Sequence, residues 1–553
     1  MATSQSATSI TNNRIRPERG PLLLGLAFLL CALTFYYFAV LRIDYAKTPL
    51  LDLGPYTDAV EYFAQAKGLQ TEGRPQLQIG YDKLPPKVPF GYPVLMLPWL
   101  KILPEKHAVL APFRTNQTLG LLLLLAVFVF YTYLAMPLTG GFAALLLATL
   151  PSFFTFCRSS MSDISASMLF VLAFMFAYLG LKEERRWKIY LSAVFLGLSL
   201  NIRPQSFFFA PLLLAMALFP GKIPPARWFL HCVAVLLVFA LAASPVLIFN
   251  ALEFHSPFRN GYNFWVPSLI EKHVLFSFHN IPRNAAMLWR EFALRPKAYN
   301  VANIFGTGTF FVPAYVLLIC VGLFFIKVSR FVICAFLAGV SFLAATASFR
   351  FDDGRLYLPL LMLLVAVAVL PVRWAAQNLL IGKRIIAALA IFVLFAAAGL
   401  GYPSRSGPDT VEISRSQAWD ALHFTTPPRK STKFIAQERF VQTVKQQPGI
   451  VLSDIDPAYL NVLLPEPFVA APIDEKHKFC FSKIWRYGHP QALALVKKGL
   501  EESIPVYALF VSREEMTENV RRLPEMDGCQ WTIVESGKQA VVLKLVPVAA
   551  SGN

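Results

Sequence analysis

The residues best suited to chemistry in this chain are charged groups that interrupt long apolar runs. The first set lies in Tyr56-Thr57-Asp58-Ala59-Val60-Glu61-Tyr62-Phe63-Ala64-Gln65-Ala66-Lys67. Its spacing predicts a helix with Asp58, Glu61, Tyr62 and Gln65 on one face and Ala59, Phe63 and Ala66 on another. A carboxylate displayed this way can take a proton from an attacking hydroxyl. The same spacing fits an N-terminal capping box, with Asp58 as cap and Glu61 three residues on. A capping Asp58 stays ionised at low pKa and is a weaker base; Thr57 could cap instead and free it. Downstream, Asp82, Lys83 and Lys87 lie in or beside the proline-rich stretch Tyr81–Leu100. Its prolines and Gly91 argue against a regular helix through the first half. The apolar second half, with Tyr92 and Trp99, suits a segment lying on a bilayer surface.

Further charges sit where other apolar runs end: Arg158 and Asp163, then Arg203, then Arg350, Asp352, Asp353 and Arg355. Fixed cations in such places suit an anionic ligand, and would stabilise negative charge developing on a phosphate leaving group. The alternative for each is snorkelling to the membrane surface, or mutual pairing such as Arg355 with Asp352.

The elements that must carry these residues are membrane spans. Of 553 residues, 56% are hydrophobic and 15% charged, which excludes a disordered chain and is rich for a soluble one. Seven Cys without a CxxC pair exclude a zinc ribbon or disulfide scaffold. At about 20 apolar residues per span, runs fall at 21–41, 117–135, 138–156, 164–181, 188–202, 206–219, 228–250, 306–326, 331–347, 356–371 and 385–401. This predicts a polytopic α-helical membrane protein with about eleven spans. The first reads as an uncleaved anchor, because no small-residue cleavage site follows it. With tail 1–20 in the cytoplasm, the basic groups Lys182 to Lys188, Lys222 with Arg227, Lys327 with Arg330, and Arg373 to Arg384 all fall on the cytoplasmic side. The net charge of +18 is then a topology signal and implies no nucleic acid. Loops 42–116 and 251–305 and the segment 402–553 lie outside the cytoplasm. In that last segment the apolar runs shorten to strand length, as in Val506–Val511 and Ala540–Val546, with polar helical stretches between them: an α/β domain. Its Cys480 and Cys529 either pair as a disulfide or stay as two thiols.

The ordered series of motifs resembles the GT-C superfamily, integral membrane glycosyltransferases that use polyprenyl-phosphate-linked sugars, in the branch of the protein O-mannosyltransferases and lipid A aminoarabinose transferases. The motifs are Tyr56-Thr57-Asp58-Ala59-Val60-Glu61-Tyr62, Phe90-Gly91-Tyr92-Pro93, Arg158-Ser159-Ser160-Met161-Ser162-Asp163, Gly197 to Pro204, Glu253 to Tyr262, and Asp353-Gly354-Arg355-Leu356-Tyr357-Leu358-Pro359. They span most of 20–402. Many relatives carry a second acid directly after the first; Ala59 stands there in this chain, which leaves a divalent metal optional.

The resemblance implies transfer of a sugar from a polyprenyl-phosphate donor to a hydroxyl acceptor on protein, lipid or glycan. It makes Asp58 the general base, with inversion at the sugar. Substrate binding would fall to Lys83, Lys87, Arg158, Asp163, Arg203, Arg355 and Tyr357, and Asp163 would orient a cation, hold the acceptor or ligate a metal. The expected location is a bacterial inner membrane, with the active site and 402–553 outside the cytoplasm. Two other classes stay open: a lipid-linked glycan transporter or flippase, and a non-catalytic glycan-assembly protein. A transporter usually carries midplane charges and repeated halves; this chain keeps its charges at span ends and shows no internal repeat.

Overall fold

A computed structural model of the chain describes residues 19–42, 57–217, 224–292, 313–350, 354–399 and 432–548, apart from some positions between 445 and 488 and residue 539. Among the described residues, six helices are long and apolar enough to cross a membrane: Gly20–Leu41, His107–Tyr133, Asp163–Glu183, Ala226–Phe254, Arg330–Ser348 and Arg355–Asn378. The chain is a polytopic helical membrane protein. Large apolar side chains cover the outside of its long helices, as at Leu241, Leu252 and Phe336. That pattern suits lipid and not water.

The other expected spans also fall on helix, in shorter pieces. Run 138–156 becomes Pro137–Thr149 and Pro151–Cys157; run 206–219 becomes a tight turn at Pro204–Phe209 and the helix Pro211–Ala217. In each case a proline opens the new piece, where its missing N–H costs nothing, instead of interrupting a longer helix. Runs 188–202 and 385–401 match Arg186–Leu200 and Gly382–Gly399. The first part of run 306–326 lies outside the described residues.

After the first span, the chain forms the helix Thr57–Glu72 and then an antiparallel hairpin, Leu77–Ile79 with Asp82–Leu84. A proline loop follows, and then the helix Gly91–Ile102. The first half of the proline-rich stretch is non-helical, as its prolines predict, and the apolar second half forms this helix. Pro93 falls in its first turn, where proline is tolerated, and only Pro98 lies inside.

The C-terminal part builds a five-stranded sheet in the order Val469–Pro472, Ile450–Ser453, Val506–Phe510, Val541–Pro547, Cys529–Ser536. The first three strands run parallel and the last two add antiparallel. Helices Thr432–Thr443 and His489–Glu501 pack on it. The central strands are buried, so they read as continuous apolar runs. Cys529 opens an outer strand, and Cys480 lies outside the described residues.

Candidate active site

Three distant segments bring four charges together. Asp58 sits in the first turn of Thr57–Glu72. Its Oδ1 is 2.9 Å from Lys87 Nζ, and its Oδ2 is 3.0 Å from Arg355 Nη2. Glu61, one turn further along the same helix face, places Oε1 3.1 Å from the same lysine nitrogen. Two carboxylates and two cations therefore balance. Such balance is needed, since Glu61 is 0% exposed and Lys87 5%, and buried charges survive only when paired. Asp58 and Arg355 keep 15% and 13% exposure, so the open side of the cluster is theirs.

Each arm is held by its surroundings. Arg355 lies on the tight turn Gly354–Tyr357, which leads directly into the helix Leu358–Ala368. Lys87 lies in the proline loop, which is clamped from outside by 261–265. There, Trp265 Nε1 donates to Pro85 O at 2.8 Å, and the backbone of Gly261 presses on Pro86 and Lys87. A Cβ at Gly261 would lie 2.2 Å from Pro86 O, so only glycine allows this approach. The Lys87 ammonium also stands 5.9 Å from the Tyr262 ring centre.

Burial pushes the Asp58 carboxyl up, but Lys87 and Arg355 outweigh it and hold the group well below its ordinary value. Burial pushes the Tyr262 and Tyr62 phenols up.

A second polar cluster backs the first. Arg203 Nη2 is 2.8 Å from Asp163 Oδ1, and both side chains are nearly inaccessible. Arg203 Nε donates to Ser162 Oγ at 3.0 Å, and Ser162 Oγ shares a 2.7 Å hydrogen bond with the Tyr62 hydroxyl. Tyr62 follows Glu61 on the carboxylate helix, so the two clusters share one helix. Asn116 donates to the carbonyls of Ser159 and Met161, at 2.8 Å and 2.6 Å, and fixes the turn before Asp163.

The structure thus brings together Asp58, Lys87 and Arg355, and separately Asp163 with Arg203. Three readings change. Asp58 lies one residue inside the helix and is not its cap, and Glu61 is a partner of Lys87. Lys83 does not join the site: it is an exposed hairpin residue paired with Glu72. Glu72 lies fourteen positions beyond Asp58, about 21 Å along the helix axis. Arg355 is paired with Asp58; Asp352 and Asp353 lie outside the described residues, and Arg350 is exposed. Arg158 is buried in the turn before Asp163. Tyr357 is buried beside Arg355 in sequence, and its hydroxyl has no hydrogen-bond partner among the described residues.

Glu61 and Tyr62 were visible in the sequence as neighbours of Asp58 on one helix face, and Ser162 only as a member of a motif. The three-residue step from Asp58 to Glu61 was the one signal, and it pointed equally to a cap.

Among the described residues, no three His, Cys, Asp or Glu side chains gather to hold an ion. The place between the Asp58 and Glu61 carboxylates is taken by the Lys87 ammonium, and Asp163 is paired with Arg203.

No protein-family model matches the chain, and no curated protein matches it by sequence. Solved structures do match. ArnT from Cupriavidus metallidurans, bound to undecaprenyl phosphate, superposes with a TM-score of 0.59 at 11% identity, over 94% of this chain and 97% of that one. The oligosaccharyltransferase of Archaeoglobus fulgidus, in complex with Zn and sulfate, gives 0.52 at 14% identity, over 88% of this chain and 67% of that one. Both are GT-C glycosyltransferases. The chain has the GT-C fold. At these identities the likeness speaks for architecture alone.

Proposed function

We propose that this GT-C-fold protein is a membrane glycosyltransferase that moves a sugar from a polyprenyl-phosphate donor to a hydroxyl acceptor. The observation that carries this reading is the placement of Asp58 between Lys87 and Arg355, at 2.9 Å and 3.0 Å. One carboxylate and two cations, at a partly open site beside the spans, suit a hydroxyl and a phosphate. The undecaprenyl phosphate bound to the neighbour from Cupriavidus metallidurans supports the donor class.

In the resting arrangement both Asp58 oxygens are occupied, and the carboxylate is a poor base. A donor phosphate competes for the same two cations. As Lys87 and Arg355 turn to the phosphate, Asp58 loses the charges that depress its pKa and becomes a better base. Lys87 keeps Glu61 as a partner throughout, which limits its movement. Asp58 then takes the proton of the acceptor hydroxyl while the oxygen attacks the anomeric carbon. The bond from that carbon to the phosphate oxygen breaks, and the polyprenyl phosphate leaves with the electron pair. Its charge is met by Lys87 and Arg355. Attack opposite the leaving group inverts the sugar.

In this account Arg203 and Asp163 act from behind. Their pairing with each other and with Ser162 holds Tyr62, and so holds the carboxylate helix. Tyr357, two residues after Arg355, keeps a buried hydroxyl with no hydrogen-bond partner among the described residues. The distribution of basic loops supports a site and a C-terminal domain outside the cytoplasm, and the proposed location is a bacterial inner membrane.

The test is transfer from undecaprenyl-phosphate-linked sugars by the purified protein in nanodiscs. Loss of transfer in Asp58→Asn with donor binding intact is the expected result. Full transfer by that variant would overturn the assignment.

A further inference from the structure

The C-terminal domain touches the hairpin that connects the carboxylate helix to the Lys87 loop, and it does so through backbone groups. Gly80 N donates to Ala470 O at 2.8 Å. Asn461 Nδ2 donates both to Gln78 O at 2.9 Å and to Ala470 O at 2.8 Å, while its Oδ1 accepts from Ala470 N at 2.6 Å. One side-chain amide therefore holds a hairpin strand of the first loop and the outer strand Val469–Pro472 together. Gly80 has φ +59° and sits against Leu495 and Ala471. Lys498 Nζ stands 3.9 Å from the Tyr81 ring centre. Leu77 and Ile79 are fully buried, although their strand is only three residues long.

The hairpin is mechanically close to the site at both ends. On one side it follows the helix bearing Asp58 and Glu61, whose Gly68 packs on Arg74 O. On the other, Leu84 is followed by Pro85, Pro86 and then Lys87, at most about 10 Å of extended chain. Both prolines have fixed φ, and each restricts the residue before it. A displacement of the hairpin is therefore passed to Lys87, not absorbed on the way.

We infer that the C-terminal domain positions the active site: through Asn461 it holds the hairpin Leu77–Leu84, and this fixes where Lys87 stands relative to Asp58. Asn461 is a positioning residue in this scheme and touches no substrate. The statement about placement stands on geometry alone; its consequence for donor binding rests on the proposed function.

The test uses the full-length protein in nanodiscs and the variant Asn461→Asp, which keeps the side-chain shape. It turns two donors into acceptors facing Gln78 O and Ala470 O. Hydrogen exchange is read at amides 77–84, at Lys87, Val88 and Phe90, and at strands Ile450–Ser453 and Val541–Pro547 as a fold control. The expected result is faster exchange at the hairpin and at 87–90, with the sheet strands unchanged. Undecaprenyl phosphate binding should weaken about tenfold, the effect of a small displacement of a charge-assisted contact. Exchange at 87–90 equal to wild type, whether or not the hairpin loosens, would overturn the inference. If Asn461→Asp destabilises the sheet itself, Gly80→Ala strains the hairpin at φ +59° and crowds Leu495, so it disturbs the docking from the hairpin side and is read the same way. Lys87→Met separates the two claims. If it binds undecaprenyl phosphate normally, the phosphate role of Lys87 fails, while exchange at 87–90 still decides the positioning role.

Discussion

Asp58 and Arg355 are separated by 297 residues of sequence and meet at 3.0 Å. One comes from the first loop and the other from the turn before the helix Leu358–Ala368. Their meeting closes the helical bundle around a partly open ion cluster, and the functional account depends on it.

If Arg355 holds the donor phosphate, its replacement should change the dependence on donor concentration with acceptor saturating. Arg355→Ala should raise the donor KM, and Arg355→Lys should restore it only in part, because an ammonium keeps the charge but cannot grip two phosphate oxygens as a guanidinium does. A change confined to acceptor dependence would make Arg355 a structural partner of Asp58 only.

Lys87 stands between two carboxylates, so Lys87→Met should be costly to the fold. It leaves Glu61 buried beside Asp58 without its cation, a loss of about 3–5 kcal/mol by the usual cost of breaking a buried pair. Adding Glu61→Gln should recover much of that stability and none of the transfer. Thermal unfolding in detergent, run beside the transfer assay, separates the two effects. A double variant no more stable than Lys87→Met would remove Glu61 from the cluster.

The Asp58 carboxyl titrates below its ordinary value of 3.8 because Lys87 and Arg355 outweigh its burial. A depressed folded pKa means that the ionised group stabilises the fold above the unfolded value, and that this is lost as pH falls through the folded value. Wild type should therefore lose more stability than Asp58→Asn on acidification below about pH 4, and the two should run parallel between pH 5 and 8. Melting curves across that range check it. Divergence near neutral pH would mean that another group dominates.

Gly261→Ala places a methyl group where Pro86 O and the Lys87 Cα already stand, at 2.2 Å and 2.4 Å. The loop must move. A displacement of about 1 Å at a catalytic group can cost about 100-fold in rate. Transfer should fall steeply while the membrane helices remain folded, and wild-type activity would show that the clamp does not set the position of Lys87.

Much of this arrangement was legible in the sequence, for physical reasons. Bilayer thickness forces long apolar runs, so the helices could be read. Charges such as Arg355 and Lys87 stood out against apolar surroundings. Proline positions divide several runs into short helices, as at Pro151 and Pro211, and only the fold shows how these pieces pack. Lys83 and Lys87 were both candidate cations near prolines, with Lys87 the stronger; hairpin pairing sends Lys83 to the surface, and the clamp by Gly261 and Trp265 holds Lys87 at the site. Asp58 and Glu61 read as a cap because spacing along a helix carries no information about a lysine arriving from a loop. The hairpin and its docking on Asn461 left no pattern at all, since backbone groups make most of the contact.

The most direct test of the account is the rate of sugar transfer by Asp58→Asn in nanodiscs, with undecaprenyl phosphate binding measured on the same preparation. Asparagine removes the proton acceptor and the negative charge facing Arg355, and leaves Lys87 paired with Glu61. Transfer should fall by about two to four orders of magnitude, with binding as tight as wild type or tighter. Transfer at the wild-type rate would contradict the claim that Asp58 is the base.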